Sequence, residues 1–161
     1  MQTKQELEYW YKDEDPWDYR THPDDIYRKH FYLTALEHLG EEYERALDIG
    51  AGEGFITQDL PAKEIHAIEL SDTAASRLPE NVKRVQAPIG KYDLVLVTGL
   101  LYQQYDHASI ARTASQAANK HICIGGISEW LLSYNFGEVI RSFEFPYREY
   151  LSRFSIYETR T

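Results

Sequence analysis

Cysteine is nearly absent from this chain of 161 residues, which contains only Cys123. A single thiol cannot form a disulfide within the chain or build a cysteine metal site, so we expect neither. The apolar run 121–125 around Cys123 indicates a buried strand residue. No apolar run approaches the roughly 20 residues that span a bilayer, and residues 1–8 lack the apolar core of a secretion signal. These absences predict a cytoplasmic protein with no membrane partner.

Basic residues are also few. The chain has 17 Lys and Arg against 26 Asp and Glu, which gives a formal net charge of −9. The basic residues are scattered, whereas a phosphate backbone is bound by clustered Lys and Arg, so we expect no nucleic-acid partner. The length and an apolar content of 43% indicate one globular domain over residues 1–161.

Aromatic side chains, in contrast, are abundant, with 13 Tyr, 6 Phe and 3 Trp. Tyr and Trp combine a stacking face with a polar tip, which suits a glycan or another polyhydroxylated ligand. Many of these rings can equally belong to the core. The aromatic content alone therefore leaves both interpretations open.

The most informative segment is Leu47–Gly54, with the sequence Leu-Asp-Ile-Gly-Ala-Gly-Glu-Gly. A short apolar strand enters a glycine turn here. Backbone N–H groups in such a turn are free to face a ligand, and glycine lets the ligand approach closely. A second apolar run ends at Glu69, where a neighbouring parallel strand would present a carboxylate to a ribose diol. Together these features predict a site for a nucleoside cofactor.

Two cofactors compete for this site. The dinucleotide fingerprint G-x-G-x-x-G needs a third glycine where this chain has Phe55, which disfavours NAD. The turn carries Asp48 and Glu53 and no basic side chain, a setting that suits the ammonium of S-adenosylmethionine and would repel a pyrophosphate. S-adenosylmethionine is therefore the favoured cofactor. A turn that merely needs glycines for its geometry is the third interpretation.

The remaining patterns predict an α/β fold in which strands and helices alternate along the chain and the last two strands are antiparallel. A helix is expected from about Asp24 to Gly40. Before it, Asp15-Pro16 and His22-Pro23 are expected to interrupt any regular secondary structure. Further helices are predicted over 55–60, 73–78 and 107–118, and strands over 46–49, 65–70, 82–85, 92–98 and 121–127. Residues 138–145 and 153–159 alternate like an antiparallel pair.

One connection is unusually short. Only the six residues 86–91 separate the third strand from the fourth. A parallel crossover normally takes a dozen or more residues, whereas six extended residues reach roughly 20 Å. The spacing predicts a trimmed crossover, in which a bare segment replaces the usual helix.

The block Ala46–Gly54, with Glu69 and Tyr92-Asp-Leu-Val95, resembles the class I S-adenosylmethionine-dependent methyltransferases. The N-terminal segments are similar to the opening of the NodS-type nodulation methyltransferases, which N-methylate the amine of a de-acetylated chitooligosaccharide. These segments are Asp15-Pro-Trp-Asp-Tyr-Arg-Thr21, Tyr27-Arg-Lys29, Leu33-Thr-Ala-Leu36 and Tyr43-Glu-Arg-Ala-Leu47. The resemblance implies a Rossmann-like, seven-stranded sheet whose last strand is antiparallel.

The resemblance also implies where the cofactor lies. The glycine turn would surround its methionine part, Glu69 would hold the ribose hydroxyls, and residues 1–30 would fold over it as a lid. The residues expected at the cofactor are Asp48, Gly50, Ala51, Gly52, Glu69, Leu70, Gln86, Thr98, Trp17 and Arg20.

Two departures from the family pattern concern the adenine and the acceptor. Many relatives place an acid after the third strand to accept from the adenine amino group, whereas this chain has Gln86, whose carbonyl could accept instead. NodS-like proteins tend to carry an acid after the fourth strand, where this chain has Thr98-Gly99. The acceptor therefore need not be a chitooligosaccharide.

Methyl transfer from a sulfonium requires positioning and exclusion of water more than a metal, so no metal site is expected. Tyr102 and His107 are the catalytic candidates. Tyr102 follows the fourth strand at the end of the sheet that faces ligands. His107 could be a base or only the first residue of a surface helix.

The sequence therefore predicts an S-adenosylmethionine-dependent methyltransferase that acts on a small molecule or oligosaccharide, at an amine or a hydroxyl. We expect a monomer or a weak homodimer. The alternative is a non-catalytic protein that keeps the fold and binds the cofactor or serves as a partner subunit.

Overall fold

A computed structural model describes residues 2–159, so the ends of the predicted domain, residues 1, 160 and 161, lie outside the described part. Seven strands form one sheet in the order β3-β2-β1-β4-β5-β7-β6. The strands are β1 Tyr43–Ile49, β2 Ala62–Ile68, β3 Val82–Arg84, β4 Tyr92–Thr98, β5 Ala118–Ile127, β6 Glu138–Tyr147 and β7 Tyr150–Glu158. Strands β1–β5 pair in parallel, and β7 pairs antiparallel with both β5 and β6. The predicted α/β sheet with an antiparallel C-terminal hairpin is confirmed.

Helices cover both faces of the sheet. They are α1 Lys4–Trp10, α2 Pro23–His38, α3 Asp72–Ser76 and α4 His107–Ala117. Tyr32 and Leu36 of α2 pack in one core on one face, and the small residues Ala111 and Ala114 of α4 pack in a second core on the other. Within residues 2–159, no helix is long and apolar enough to cross a membrane.

The trimmed crossover between β3 and β4 is confirmed, because residues 85–91 form no helix. Arg45 of β1 holds this segment by donating to the carbonyl oxygens of Lys91 at 2.6 Å and Ile89 at 2.7 Å. The Tyr92 hydroxyl accepts from the Ile89 N–H at 2.9 Å and pairs with His66 Nδ1 at 2.8 Å. Side chains of the sheet thus replace a helix in fixing the segment.

The N-terminal region is more regular than the sequence predicted. Helix α1 begins at a capping box, in which the Thr3 side chain accepts from the Glu6 N–H and the Glu6 carboxylate accepts from the Thr3 N–H. His22-Pro23 does not break a helix but begins α2, with His22 as the N-cap. Proline is favoured in the first turn of a helix, because its missing N–H would have no partner there.

The predicted helix over 55–60 is wrong. The structure has only a short 3₁₀ turn, Thr57–Asp59, between the glycine turn and β2. Gly54 and Pro61 leave little room between them, and the Thr57 hydroxyl donates to Asp48 at 2.7 Å, which fixes the connection against β1. Strand β2 also ends earlier than predicted, at Ile68, so that Glu69 lies just beyond the strand end.

Candidate functional site

A large cavity lies at the carboxyl ends of β1, β2, β4 and β5, beneath α1 and the loop that joins it to α2. Its volume is about 740 Å³, within the roughly 300–1,000 Å³ typical of small-molecule sites. Nine of the ten residues expected at the cofactor line it: Asp48, Gly50, Ala51, Gly52, Glu69, Leu70, Thr98, Trp17 and Arg20. Tyr102 lines it as well. The structure therefore brings most of the predicted site together at the end of the sheet where parallel strands present ligands.

The glycine turn is held closely against β2. The N–H groups of Gly50 and Ala51 donate to the Ile68 carbonyl at 2.7 and 3.3 Å, and the Gly52 N–H donates to Glu69 Oε1 at 2.8 Å. The expectation that these three amides are free to face a ligand is therefore wrong. A pyrophosphate would need such amides, so the turn is poorly suited to a dinucleotide.

Tyr11, which lies over the glycine turn, requires a glycine at position 52. Its φ is +60°, and a Cβ at this position would lie 2.9 Å from the hydroxyl oxygen of Tyr11. Tyr11 follows α1, lines the cavity and is buried. The glycine thus lets the N-terminal segment close directly over the turn.

Glu69 is positioned as a hydrogen-bond acceptor. Its Oε1 accepts from Gly52 and its Oε2 accepts from the Ser71 N–H at 2.7 Å, while only 7% of the residue is exposed. Burial raises the pKa of this carboxyl, and the two amides act against that rise. A carboxylate has about four lone-pair directions. Both oxygens therefore retain capacity for a ligand hydroxyl.

Asp48 is the second buried acid of the site. Its Oδ2 accepts from the Thr57 hydroxyl, whereas its buried Oδ1 has no hydrogen-bond partner among the described residues. Burial raises the pKa of Asp48 to about 7. Buried polar atoms in native proteins nearly always have partners. A cationic group in the cavity would complete this carboxylate and lower its pKa.

Arg28 and Tyr32 of α2 are cavity residues that sequence reasoning missed. The buried Arg28 Nε and the Tyr32 hydroxyl both have no partner within residues 2–159. The Arg28 guanidinium lies against the Tyr19 ring at 5.2 Å and the Tyr147 ring at 5.7 Å. A buried guanidinium with a free N–H suits a carboxylate. The available signal was the segment Tyr27-Arg-Lys29, which carried part of the family resemblance.

Tyr102 lies where the sequence predicted, but it is not suited to be a base. Its hydroxyl oxygen accepts from the Ile127 N–H at 2.7 Å, and burial raises its pKa to about 12. Gly126 permits this arrangement, because a Cβ there would lie 2.6 Å from the Tyr102 oxygen. The phenol remains protonated at neutral pH and can donate into the cavity.

Two predicted site residues lie away from the cavity. His107 pairs through Nδ1 with the Tyr134 hydroxyl and does not line the cavity, so a role as a base there is not supported. Gln86 is exposed and also outside the cavity lining. Val85 directs its side chain into the core, and the next residue along an extended chain points the opposite way.

The segment over the cavity is attached to α3. Glu8 of α1 accepts from the Ser71 hydroxyl and from the Thr73 hydroxyl, the latter at 2.8 Å. Lys4 forms an ion pair with Asp72 at 2.8 Å. Ser71 donates its hydroxyl to Glu8 and its N–H to Glu69, so the same residue contacts both α1 and the carboxylate at the end of β2.

Over the part of the chain that the structure covers, no group of three or more His, Cys, Asp or Glu side chains is arranged to hold a metal ion. The site consists instead of two buried acids, a buried arginine and several aromatic rings. This composition fits an organic ligand with both charged ends and hydroxyl groups.

Comparison with known proteins supports the fold. No family model matches this chain, and no curated protein matches its sequence. Among solved structures, N-methyltransferase NodS from Bradyrhizobium japonicum WM9 in complex with S-adenosyl-L-homocysteine superposes with a TM-score of 0.80. The sequences are 15% identical, and the match covers 98% of each chain.

Two further structures share the architecture. Magnesium protoporphyrin IX methyltransferase (ChlM) from Synechocystis PCC 6803 with bound S-adenosylmethionine has a TM-score of 0.72 at 12% identity, covering 99% of this chain and 98% of that one. A putative RNA methyltransferase from Pyrococcus horikoshii has a TM-score of 0.68 at 15% identity over both full chains. The chain thus has the fold of the class I methyltransferases, as the sequence resemblance predicted.

Proposed function

We propose that this protein is an S-adenosylmethionine-dependent methyltransferase that acts on a small molecule or oligosaccharide. The main support for the proposal is that three polar side chains line one cavity. They are the hydrogen-bond acceptor Glu69, the buried Asp48, whose Oδ1 has no partner among the described residues, and the buried Arg28, whose Nε has none either. These groups match the ribose hydroxyls, the ammonium and the carboxylate of the cofactor. Solved structures of the same fold with S-adenosylmethionine or its demethylated product bound support the choice.

The competing dinucleotide is disfavoured by the same geometry. The turn amides at 50–52 donate to the Ile68 carbonyl and to Glu69 and cannot cradle a pyrophosphate. Glu53, which would lie near such a phosphate, is negatively charged and is paired with Arg77 at 2.8 Å. The site therefore favours a nucleoside without phosphate.

In the proposed enzyme the side chains mainly orient and enclose the reactants. Bound S-adenosylmethionine supplies a methyl group already activated on a sulfonium. Glu69 fixes the ribose, Asp48 and Arg28 fix the methionine end, and Trp17, Arg20 and Tyr11 close over the site as part of a lid. Such positioning can supply roughly 7–11 kcal/mol of rate acceleration without a metal or a covalent nucleophile. Tyr102 lines the cavity beyond the methionine end and positions the acceptor.

The resemblance to NodS-type enzymes suggests an amine or a hydroxyl as the methyl acceptor. The cavity extends past the proposed cofactor position to Trp130 and Tyr150, which leaves space for a second molecule. This second space favours an enzyme over a protein that only binds the cofactor.

Calorimetry with S-adenosylhomocysteine, 5′-methylthioadenosine and NAD tests the proposal. We expect S-adenosylhomocysteine to bind and NAD not to bind at millimolar concentration. Arg28→Lys and Arg28→Met should weaken S-adenosylhomocysteine but not methylthioadenosine, which lacks the amino acid end. Failure of S-adenosylhomocysteine to bind wild-type protein at millimolar concentration would refute the cofactor assignment.

A further inference from the structure

We propose that Arg148 is a positioning residue for the end of the cavity that receives the amino acid part of the cofactor. Its side chain holds the lid loop, defined here as residues 11–22 between α1 and α2, at the carbonyl of Trp17. It also pairs with Asp25, which leaves Arg28 available to the cofactor's carboxylate. This inference rests on the proposed function and adds a residue of the C-terminal hairpin to the site.

The backbone of Arg148 has a conformation that usually belongs to glycine. Tyr147 of β6 pairs with Tyr150 of β7, so Arg148 and Glu149 form a two-residue hairpin turn. The φ of Arg148 is +50°, in the left-handed region that glycine adopts easily and that a residue with a Cβ avoids. The Arg148 N–H donates to Asp24 Oδ2 at 2.5 Å, which attaches the turn to α2. The contacts of Arg148 therefore have to offset an unfavourable backbone conformation.

The first side-chain contact of Arg148 is with the lid loop. Its Nη2 donates to the Trp17 carbonyl at 2.9 Å. The Trp17 ring stacks on Tyr19, with centroids 6.0 Å apart, and meets the Tyr11 ring edge-on at 5.3 Å. Tyr11 lies over Gly52 in the glycine turn. A residue of the hairpin thus fixes the aromatic rings that cover the turn.

The second side-chain contact is with Asp25 of α2, which is fully buried. Its Oδ2 accepts from Arg148 Nη2 at 2.7 Å, and its Oδ1 accepts from the Tyr147 hydroxyl at 2.7 Å. The contact from Arg28 to Oδ1 is longer, at 3.4 Å. A buried carboxylate needs a paired cation, and the shorter contact gives that role to Arg148. Arg28, whose Nε has no partner among the described residues, is then available to a ligand.

Removal of the Arg148 side chain should affect one end of the cofactor. Asp25 would pair with Arg28 as its remaining cation, in competition with the cofactor's carboxylate, and the lid loop would open more often over the glycine turn. Glu69, at the nucleoside end, contacts neither Arg148 nor Asp25. S-adenosylhomocysteine should therefore lose affinity, whereas 5′-methylthioadenosine, which lacks the amino acid end, should not. A merely structural role of Arg148 would weaken both ligands alike.

Arg148→Gly tests the inference, because glycine is favoured at this turn position and the turn itself is retained. By calorimetry, we expect this variant to bind S-adenosylhomocysteine roughly tenfold or more weakly, and methylthioadenosine about twofold or less more weakly. Glu149→Gly is the matched control. Glu149 is the other residue of the turn, it is exposed, and its side chain forms no hydrogen bond or ion pair within residues 2–159. The control should change neither affinity by more than about twofold.

Deuterium exchange in the free protein measures the lid loop without any ligand. The amides of residues 18–22 are hydrogen-bonded within the loop, so their exchange reports its opening. Arg148→Gly should speed this exchange by roughly fivefold or more, while residues 94–97 of the buried β4 exchange at the wild-type rate. The double variant Arg148→Gly with Asp25→Asn leaves no buried carboxylate unpaired and should show the same faster exchange.

Three results would overturn the inference while leaving the cofactor assignment standing. They are an unchanged affinity of Arg148→Gly for S-adenosylhomocysteine, an equal weakening of both ligands, and an exchange rate over residues 18–22 that is unchanged or that rises only together with that of β4. Failure of S-adenosylhomocysteine to bind the wild-type protein would instead refute the proposed function, and this inference with it.

Discussion

Replacing Asp48 with Asn should have opposite effects on stability and on cofactor binding. Burial raises the pKa of Asp48 from the ordinary 3.8 to about 7, so the ionised form is disfavoured in the folded protein. At roughly 1.4 kcal/mol for each pH unit, this corresponds to an order of 4 kcal/mol of lost stability. The amide of Asn carries no charge and avoids this loss. Its carbonyl can still accept from the Thr57 hydroxyl.

The sign of the pH dependence follows from the direction of the shift. Below about pH 4 the carboxyl is protonated in both the folded and the unfolded chain, and no destabilisation arises. Between about pH 4 and pH 7 the unfolded chain ionises first, so wild-type stability falls as pH rises, and the loss is complete above about pH 7. Asp48→Asn should therefore match wild type near pH 4 and exceed it at pH 8, by roughly 2–4 kcal/mol after about 1 kcal/mol is allowed for the altered hydrogen bonding.

Binding should change in the other direction. The cofactor's ammonium would lose a charged partner, at a cost of about 1.5–3 kcal/mol, or roughly 10- to 150-fold in affinity. Thermal unfolding at pH 4 and pH 8 and calorimetry with S-adenosylhomocysteine measure the two effects. Glu37→Gln, an exposed acid on α2, is the control and should change neither by more than about 0.5 kcal/mol. An Asp48→Asn protein that is less stable than wild type at pH 8 and binds equally well would refute this account of the buried acid.

Four other outcomes are expected. Affinity for S-adenosylhomocysteine should fall as pH drops below about 7, because the ligand's ammonium needs an ionised Asp48. Binding should therefore release a proton, and calorimetry in two buffers of different ionisation enthalpy measures that release. Glu69→Gln should weaken binding by about 1–3 kcal/mol while the surface control Glu44→Gln does not, and equal affinities would mean that the ribose lies elsewhere. Gly126→Ala should lower stability by about 1–3 kcal/mol, through the clash with Tyr102, with cofactor affinity unchanged. Glu8→Ala should speed deuterium exchange in residues 4–10 and raise the cofactor dissociation rate; unchanged exchange would show that α1 is held by other contacts.

Most of the fold could be predicted because its signals are local in sequence. Apolar runs such as residues 94–97 predict buried parallel strands, and alternation predicts the final hairpin. The six-residue spacing before β4 predicted the missing helix from chain reach alone. Helix α1 was missed because it is polar on most of its surface, and its stability depends on a capping box and on contacts of Glu8 with α3 that lie far along the chain.

The site residues also fall into two groups: those that local sequence predicts and those that depend on contacts between distant parts of the chain. The glycine turn and Glu69 were predictable because strand ends and motif spacing place them. The state of the turn amides was not, because their hydrogen bonds to Ile68 and Glu69 depend on the register between β1 and β2. Arg28 was missed because the segment Tyr27-Arg-Lys29 carries part of the family resemblance but does not show that α2 brings Arg28 into the cavity beside Tyr19 and Tyr147. Gln86 was wrongly expected at the cofactor because its side chain points away from the core, on the side opposite to Val85. His107 was wrongly expected at the cavity because its ring pairs with Tyr134, which lies 27 residues further along the chain.

The most direct test of the central claim is a crystal structure of this protein with S-adenosylhomocysteine. We expect both ribose hydroxyls within hydrogen-bonding distance of Glu69, the ammonium at Asp48 Oδ1 and the carboxylate at Arg28 Nε. The sulfur should face the part of the cavity that is lined by Tyr102 and Trp130. A nucleoside bound away from Glu69, or a methionine end that contacts neither Asp48 nor Arg28, would contradict it.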